Sequence, residues 1–365
     1  MAAARKKAAV PVAPAPAARA RVRTVAAMEP AERVSYFAQG ANKENSDLQF
    51  ISSGCATVDE AMSGGFALGR VANIVGDRSA GKTLLAMEVT ANFHNNYPDG
   101  KSRYAESEAA FDKPYAGALG MPVDKIEFND KAHPLQTIED LYEDLVRFMD
   151  RHPGTPKLYI LDSLDALSDD AEMEKAFDKD DMGGKKPKLI GQLFRRLVDR
   201  MEAERMCFVV VSQIRENMTA MAFQEKYKRS GGKALDFYAS HILWLNEIGK
   251  IKRTAGGIER ITGVNVKLRV RKNKVGLAYR EVTYPVLFGY GIDDMTSSAA
   301  WLVENGREAM LAPLGMSKSG YALLLTKIRN EGGAAAVLMR TALSLIVRRE
   351  WAIIETSFLP KSRKY

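Results

Sequence analysis

The sequence has little cysteine and little histidine. Its 365 residues include two cysteines, Cys55 and Cys207, and four histidines that lack the spacing of metal ligands. This composition excludes a disulfide framework and gives no sign of a Cys/His metal site, and it favours reduced thiols in a cytoplasmic protein. No apolar run reaches about 18 residues, the length that a membrane-spanning helix needs, so we expect no membrane contact.

Acidic residues are missing from one part of the chain. Residues 1–28 contain six basic residues and no acid, and residues 340–365 contain six basic and two acidic residues. The formal net charge of +8 therefore belongs to the two ends, and the region between them is close to neutral. Basic ends favour an acidic partner such as nucleic acid, but the total charge does not identify that partner.

A glycine-rich stretch, GDRSAGKT, begins at Gly76 between an apolar β-branched run and an apolar helix-favouring run. In this pattern glycines let backbone N–H groups approach phosphates, the lysine reaches the β- and γ-phosphates, and the hydroxyl ligates Mg²⁺. The alternative is a strand–helix turn with an incidental lysine. The pattern predicts a nucleotide-binding loop formed by Gly76, Asp77, Arg78, Ser79, Ala80, Gly81, Lys82, Thr83 and Leu84.

Two later apolar stretches supply further candidates. KLYILDSLDAL predicts a strand that ends at Asp162, whose carboxylate would hold Mg²⁺ together with Thr83. RMCFVVVSQIR predicts a strand that ends near Gln213, whose amide could sense the γ-phosphate. The alternative for Gln213 is an ordinary amide at the end of a strand, and the sequence alone leaves both interpretations open.

A catalytic base is harder to identify. The stretch YAESEAAFD offers Glu106, Glu108 and Asp112, any of which could orient the attacking water. Spacing alone favours a solvated acidic turn.

The order of the predicted elements indicates three regions. Residues 1–45 are rich in Ala, Pro and Arg and predict a flexible basic arm, with a short helix at 29–39 and with a transit peptide as the alternative. Residues 46–295 alternate strands and helices and then give hairpin-like strands, which predicts an α/β core with a mainly parallel central sheet flanked by helices. Residues 296–365 predict a small, mostly helical C-terminal domain.

Two segments, 172–188 and 215–232, predict long loops. Loops of this length in a compact domain are usually functional or disordered. In the second, Arg215, Lys226, Lys228 and Arg229 could contact a nucleic-acid backbone while Phe223 stacks between bases. A mobile solvated surface is the alternative.

These motifs together resemble the RecA family of homologous recombinases, in order from about Ile51 to about Gly291. The resemblance rests on six segments: ISSGCATVDEAMSGGFALGRVANIVGDRSAGKT, ESEAAFDKPYAGALGM, LYILDSLDAL, VVVSQIR, SGGKALDFYAS and VRKNKVG. It implies a RecA-like P-loop NTPase core that binds ATP and Mg²⁺. It also implies that Glu108 is the catalytic base, with Lys82 and Gln213 as further catalytic residues.

The resemblance implies roles for other residues as well. Asp112 and Tyr115 would contact the adenine, and Lys272 and Lys274 would reach the ATP of the neighbouring subunit. The first DNA-binding loop aligns with about 172–186. The implied DNA contacts are Met182, Gly183, Arg195, Arg196, Arg215, Phe223, Arg229, Gly231 and Gly232.

Some segments depart from the family pattern. GGKKPK stands where a plainer helix start is usual, the family's N-terminal helix and strand are not recognisable in residues 1–45, and the chain ends in LPKSRKY instead of an acidic tail. The divergent ends resemble phage-encoded recombinases of the UvsX type more than chromosomal ones.

The resemblance implies an ATP-dependent recombinase that polymerises as a helical filament on single-stranded DNA and exchanges strands with double-stranded DNA. Single-strand-binding and mediator proteins would be partners, in a bacterial or phage-infected cytoplasm. The first alternative is a hexameric RecA-fold helicase, but the roughly 45 residues before the core are few for its usual helical domain. The second alternative is a non-catalytic module, against which Lys82, Thr83, Glu108 and Asp162 argue.

Overall fold

The computed structural model describes residues 48–77, 79–108, 111–129, 135–169, 186–216, 227–229, 232–360 and residue 362. The predicted arm and the helix expected at 29–39 lie outside this part of the chain. The strands are β1 Phe50–Ile51, β2 Phe66–Ala67, β3 Val71–Gly76, β4 Lys101–Glu106, β5 Ile126–Phe128, β6 Lys157–Asp162, β7 Met206–Glu216, β8 Tyr227–Arg229, β9 His241–Ala255, β10 Ile258–Asn273, β11 Glu281–Leu287 and β12 Gly291–Ile292.

The described helices lie mostly between these strands. They are α1 Ala56–Ala61, α2 Lys82–Asn96, α3 Lys113–Ala118, α4 Ile138–Arg151, α5 Lys186–Ala203, α6 Gly232–Tyr238, α7 Asp294–Glu304, α8 Tyr321–Glu331 and α9 Gly333–Phe358. Short 3₁₀ turns occur at Val123–Lys125, Leu164–Ala166 and Glu308–Leu314.

One large sheet organises the molecule, in the order β12-β11-β10-β9-β3-β7-β6-β4-β5. Each pair of neighbouring strands from β9 to β5 in this order is parallel. Strands β10, β11 and β12 extend the sheet beyond β9 through antiparallel pairs. The predicted mainly parallel sheet, extended by hairpin-like strands, is therefore confirmed.

The two faces of the sheet bury separate hydrophobic clusters. In β3, Ala72 and Ile74 point into one cluster, and Val71 and Val75 point into the other. This alternation follows from the two-residue period of a strand, and burial on both faces explains why β3 and β6 are apolar along nearly their whole length. Helix α4 covers the second face and begins with a capping box between Thr137 and Asp140.

The two predicted long loops are partly ordered elements. Helix α5 already begins at Lys186, inside the segment 172–188. In the segment 215–232, β7 continues to Glu216 and β8 returns antiparallel to it, with Arg215 opposite Lys228. A strand can run past the sheet when a return strand pairs with its backbone groups, and a polar, glycine-bearing sequence does not reveal that pairing.

The C-terminal helices share a hydrophobic cluster with the sheet. Trp301 of α7 stacks on Trp351 of α9 with ring centroids 5.0 Å apart, and both rings belong to the cluster that includes Ala72 and Ile74. Ion pairs add to this packing, including Arg348 with Glu60 of α1. The domain boundary expected near residue 296 stays a prediction.

Among the helices in the described ranges, none has the length and apolar character that crossing a membrane would require.

We expect Trp351→Ala to lower the free energy of unfolding by about 3–5 kcal/mol, because it removes a large buried ring and its stacking contact with Trp301. Since the cluster is continuous, hydrogen exchange should accelerate in β3 as well as in α9. Acceleration in residues 321–358 with β3 unchanged would instead indicate that the C-terminal helices unfold as a separate unit.

Candidate nucleotide and DNA site

The predicted nucleotide loop joins β3 to α2 at the carboxyl edge of the sheet. A side chain at Gly76 would come within 2.5 Å of the Leu245 carbonyl oxygen on β9, so only glycine fits there. Gly81 has a φ of +78°, in the left-handed region that favours glycine, and α2 begins at the next residue. The loop thus directs the amino end of a 15-residue helix, with its free N–H groups, toward the site.

Three further residues of the predicted loop, Ser79, Ala80 and Leu84, lie between Asp77 and the end of the first turn of α2. Ser79 has a positive φ, Ala80 is buried, and Leu84 packs against the core at the start of α2. Arg78 lies outside the described residues.

Lys82 folds back over the loop and donates a hydrogen bond from Nζ to the Asp77 carbonyl oxygen at 2.7 Å. Burial lowers the pKa of Lys82, and the nearby carboxylates of Asp162 and Glu108 oppose that shift. The ammonium is therefore held in a partly desolvated position beside acidic groups. Such a cation suits the negative charge of a phosphate.

Thr83 and Asp162 meet at the carboxyl end of β6. The Asp162 carboxylate accepts a hydrogen bond of 2.8 Å from the Tyr104 hydroxyl, and the Thr83 hydroxyl lies near enough to lower the pKa of Asp162. Burial raises the pKa of Asp162, and these two hydroxyl groups counteract the increase. A hydroxyl and a carboxylate are hard oxygen ligands, and Mg²⁺ usually takes only one or two carboxylates besides phosphates and water. The residues present therefore fit Mg²⁺.

Glu108 and Gln213 are also brought together. Gln213 Nε2 donates to Glu108 Oε1 at 3.0 Å, and the Ser163 hydroxyl donates to the same carboxylate oxygen. Glu106, the other candidate, instead accepts the backbone N–H of Glu108 at 2.8 Å. The geometry thus puts the Glu108 carboxylate against the side-chain amide of Gln213 on β7.

Three residues that sequence reasoning missed hold this group in place. Asp165 accepts the backbone N–H of Gln213 at 2.7 Å, Ser163 binds Glu108, and Tyr104 binds Asp162. One signal was available, because Asp165 follows Asp162 by three residues, the repeat of a 3₁₀ turn at the end of a strand. Tyr104 carried no local signal.

Asp112 and Tyr115 lie on α3, apart from this group. The Asp112 side chain caps α3 by accepting the Tyr115 N–H at 3.0 Å, and the Tyr115 ring is 40% exposed. No hydrogen bond within the described ranges joins either residue to Lys82 or Glu108. Their predicted contact with adenine stays a prediction.

Lys272 and Lys274 lie near the amino ends of the parallel strands, whereas the nucleotide loop lies at their carboxyl ends. Both ammonium groups donate to the Phe237 carbonyl oxygen at the end of α6, at 3.0 and 2.9 Å. Lys272 pairs with Ile242 near the start of β9, whereas Gly76 pairs with Leu245 three residues further along. The two lysines therefore point the same way and away from the nucleotide loop of their own chain.

The predicted DNA contacts fall in several places. Arg195 and Arg196 are exposed on α5, with Arg195 Nε bonded to the Gly191 carbonyl oxygen at 3.1 Å and the Arg196 guanidinium 5.7 Å from the Tyr142 ring. Gly232 begins α6 with a φ of +51°.

The other predicted DNA contacts belong to the two partly described segments. Arg215 and Arg229 lie on the paired strands β7 and β8, the first of them two residues from Gln213. Met182, Gly183, Phe223 and Gly231 lie outside the described residues.

Comparisons with known proteins identify the family of this chain. The family model described as the RecA N-terminal domain matches residues 31–293. The chain is 31% identical to Protein RecA of Syntrophobacter fumaroxidans over 268 residues, which cover 73% of this chain and 74% of that protein. It is 32% identical to Protein RecA of Laribacter hongkongensis over 278 residues, covering 72% and 75%. The chain therefore belongs to the RecA family of recombinases, whose members are DNA-dependent ATPases.

Proposed function

We propose that this protein is an ATP-dependent recombinase that polymerises on single-stranded DNA and promotes pairing and strand exchange with a homologous duplex. The observation that carries the proposal is the hydrogen bond between Gln213 and Glu108. It links Glu108, the candidate catalytic base, to β7, the strand that leaves the nucleotide site and forms the β7–β8 hairpin. The nucleotide site and the candidate DNA-binding hairpin would thus be joined by one rigid strand, β7.

ATP would be held by the loop from Gly76 to Leu84, with Lys82 against the β- and γ-phosphates. Thr83 and Asp162 would hold Mg²⁺, which neutralises charge on the transferred phosphoryl group. Asp112 and Tyr115 on α3 would contact the adenine.

Glu108 would orient the attacking water and accept its proton. Ser163 and Gln213 both donate to the Glu108 carboxylate and would fix its direction. A γ-phosphate that competed for the Gln213 amide would loosen this bond, and β7 would carry the change to the hairpin. Gln213 would in this way report the nucleotide state to the DNA-binding segment.

The site would be completed by a neighbouring subunit. Lys272 and Lys274 face away from their own nucleotide loop and lie together at one edge of the sheet. In a filament they would approach the ATP of the adjacent protomer and stabilise the transferred charge in trans.

Single-stranded DNA would contact the segment that follows Gln213 and the start of α6. Arg215, Arg229 and backbone N–H groups near Gly231 and Gly232 would hold phosphates, while Phe223 would stack between bases. Met182, Gly183, Arg195 and Arg196 would provide further contacts along the first loop and α5. Single-strand-binding and mediator proteins as partners, the cytoplasmic location and the phage UvsX-type origin stay predictions.

ATP turnover measured with and without single-stranded DNA, combined with electron microscopy, tests the function. We expect DNA to stimulate turnover and filaments to form on the DNA. Hexameric rings would support the helicase alternative, and nucleotide binding without turnover would support a non-catalytic module.

Glu108→Gln should separate binding from chemistry. The amide keeps the size of the side chain but cannot accept the proton, so turnover should fall by about 10²–10⁴-fold while ATP binding and DNA filaments persist. Glu106→Gln is the matched control, because the Glu106 carboxylate accepts the backbone N–H of Glu108. A large loss in the control with near-normal turnover in Glu108→Gln would reverse the assignment.

Mixing two inactive variants tests the shared site. One carries Lys272→Ala and Lys274→Ala, and the other carries Lys82→Ala. Some junctions in a mixed filament would pair an intact loop with intact lysines, so turnover should be partly restored. Co-assembly at several ratios must be verified by microscopy or cross-linking, and an absence of rescue in co-assembled filaments would rule out lysines supplied in trans.

A further inference from the structure

A five-residue segment, residues 290–294, lies between the nucleotide-loop helix and the C-terminal helices, and we call it the 290–294 segment. On one side it touches α2, where Glu88 Oε1 accepts the backbone N–H of Ile292 at 3.1 Å. A side chain at Gly291 would collide with that same Glu88 oxygen and would lie 3.7 Å from Leu119, the C-cap of α3. The segment is therefore in direct contact with α2 and the end of α3.

The other side of the segment holds both C-terminal helices through charged groups. Asp293 forms an ion pair with Arg329 of α8, and the two side chains are only 3% and 6% exposed. Asp294 pairs with Arg340 of α9 at 3.2 Å, and Arg340 also donates to the Tyr290 hydroxyl at 3.2 Å. Removing one partner of the buried pair of Asp293 and Arg329 would leave an uncompensated charge, so this pair fixes α8 to the segment. The Arg340 side chain is 46% exposed, so its contacts hold α9 to the segment less strongly.

Glu88 is electrostatically connected to the same groups. Burial raises the pKa of Glu88 to about 7, and the Asp294 carboxylate adds to the increase while Arg340 opposes it. Burial likewise raises the pKa of Asp294 to about 6, again opposed by Arg340. One guanidinium on α9 therefore interacts with a carboxyl group on the nucleotide-loop helix and with another on the 290–294 segment.

We propose that Glu88 is a positioning residue that couples occupation of the nucleotide site to the packing of the C-terminal helices α8 and α9 against the 290–294 segment. Glu88 lies five residues after Thr83 on the helix that carries the nucleotide loop. A small rotation or shift of α2 on binding phosphate would move Glu88 against Ile292, and Asp293 and Asp294 would pass the change to Arg329 and Arg340. The inference rests on the proposed nucleotide site, and it adds a second region that responds to the nucleotide.

Coupling of this kind is reciprocal, and this property separates it from a merely structural role. If nucleotide binding favours the packed position of α8 and α9 through Glu88, then breaking that link at Arg340 must weaken nucleotide binding by the factor that the link supplies. A buried carboxylate that only stabilised the fold would lower stability without linking the two measurements.

The experiment uses the full chain and a non-hydrolysable ATP analogue. In the wild type, the analogue should slow hydrogen exchange in residues 321–358. Arg340→Ala should weaken analogue affinity by at least about 5-fold, the lower end of typical coupling between sites. In a Glu88→Ala background, Arg340→Ala should cause little further loss. Glu88→Gln, which keeps the shape of the side chain, covers the case in which Glu88→Ala does not fold.

The matched control is Arg348→Ala. Arg348 also fixes α9 to the core, through Glu60 of α1 at 3.0 Å, but this contact does not involve α2. Its loss should accelerate exchange in α9 and leave analogue affinity unchanged. Additive effects of Glu88→Ala and Arg340→Ala, or an equal loss of affinity in Arg348→Ala, would overturn the proposal.

The result with the wild-type protein distinguishes failure of the proposed function from failure of the proposed coupling. If the wild type fails to bind the analogue, the proposed function fails and the coupling fails with it. If the analogue binds but leaves exchange in residues 321–358 unchanged, only the coupling through Glu88 is refuted.

Discussion

The parallel register of four strands at one edge of the sheet is the constraint on which the site depends. Gly76 at the end of β3 pairs with Gln213 on β7, and Glu106 at the end of β4 pairs with Asp162 at the end of β6. Because parallel strands present their carboxyl ends at a common edge, loops that are distant in sequence meet there. A shift of one residue in any of these pairings would turn the polar side chains to the other face and separate the phosphate, metal and catalytic groups.

In addition to the strand register, hydrogen bonds made by side chains fix the orientation of the polar groups at this site. Tyr104 orients Asp162, Asp165 holds the Gln213 backbone, and Ser163 and Gln213 both donate to Glu108. Asp162 and Glu108, which have expected chemical roles, are thus each held by a residue without such a role, Tyr104 and Ser163 respectively. A carboxylate fixed by two donors keeps one direction, which a general base needs in order to act on a positioned water.

Much of the core could be predicted from the sequence, because its signals are local. The glycine spacing at Gly76, the apolar strands that lead to Asp162 and Gln213, and the alternation of strands and helices all depend on residues close together in the chain. The choice between Glu106 and Glu108 could not be made from spacing, since it depends on contact with Gln213, more than 100 residues away. The β7–β8 pairing and the packing of Trp351 against Trp301 likewise arise from tertiary contacts that no local pattern encodes.

The placement of Lys272 and Lys274 at the edge opposite the nucleotide loop has a consequence for assemblies of different length. If these lysines complete a neighbour's site, as proposed, an open linear assembly always has one terminal subunit whose site receives no lysines. The fraction of incomplete sites is then largest in the shortest assemblies and falls as they grow. Hydrolysis per subunit would rise with length, and one end would keep its ATP longer than the interior, so the two ends of the polymer would differ chemically although every subunit has the same sequence.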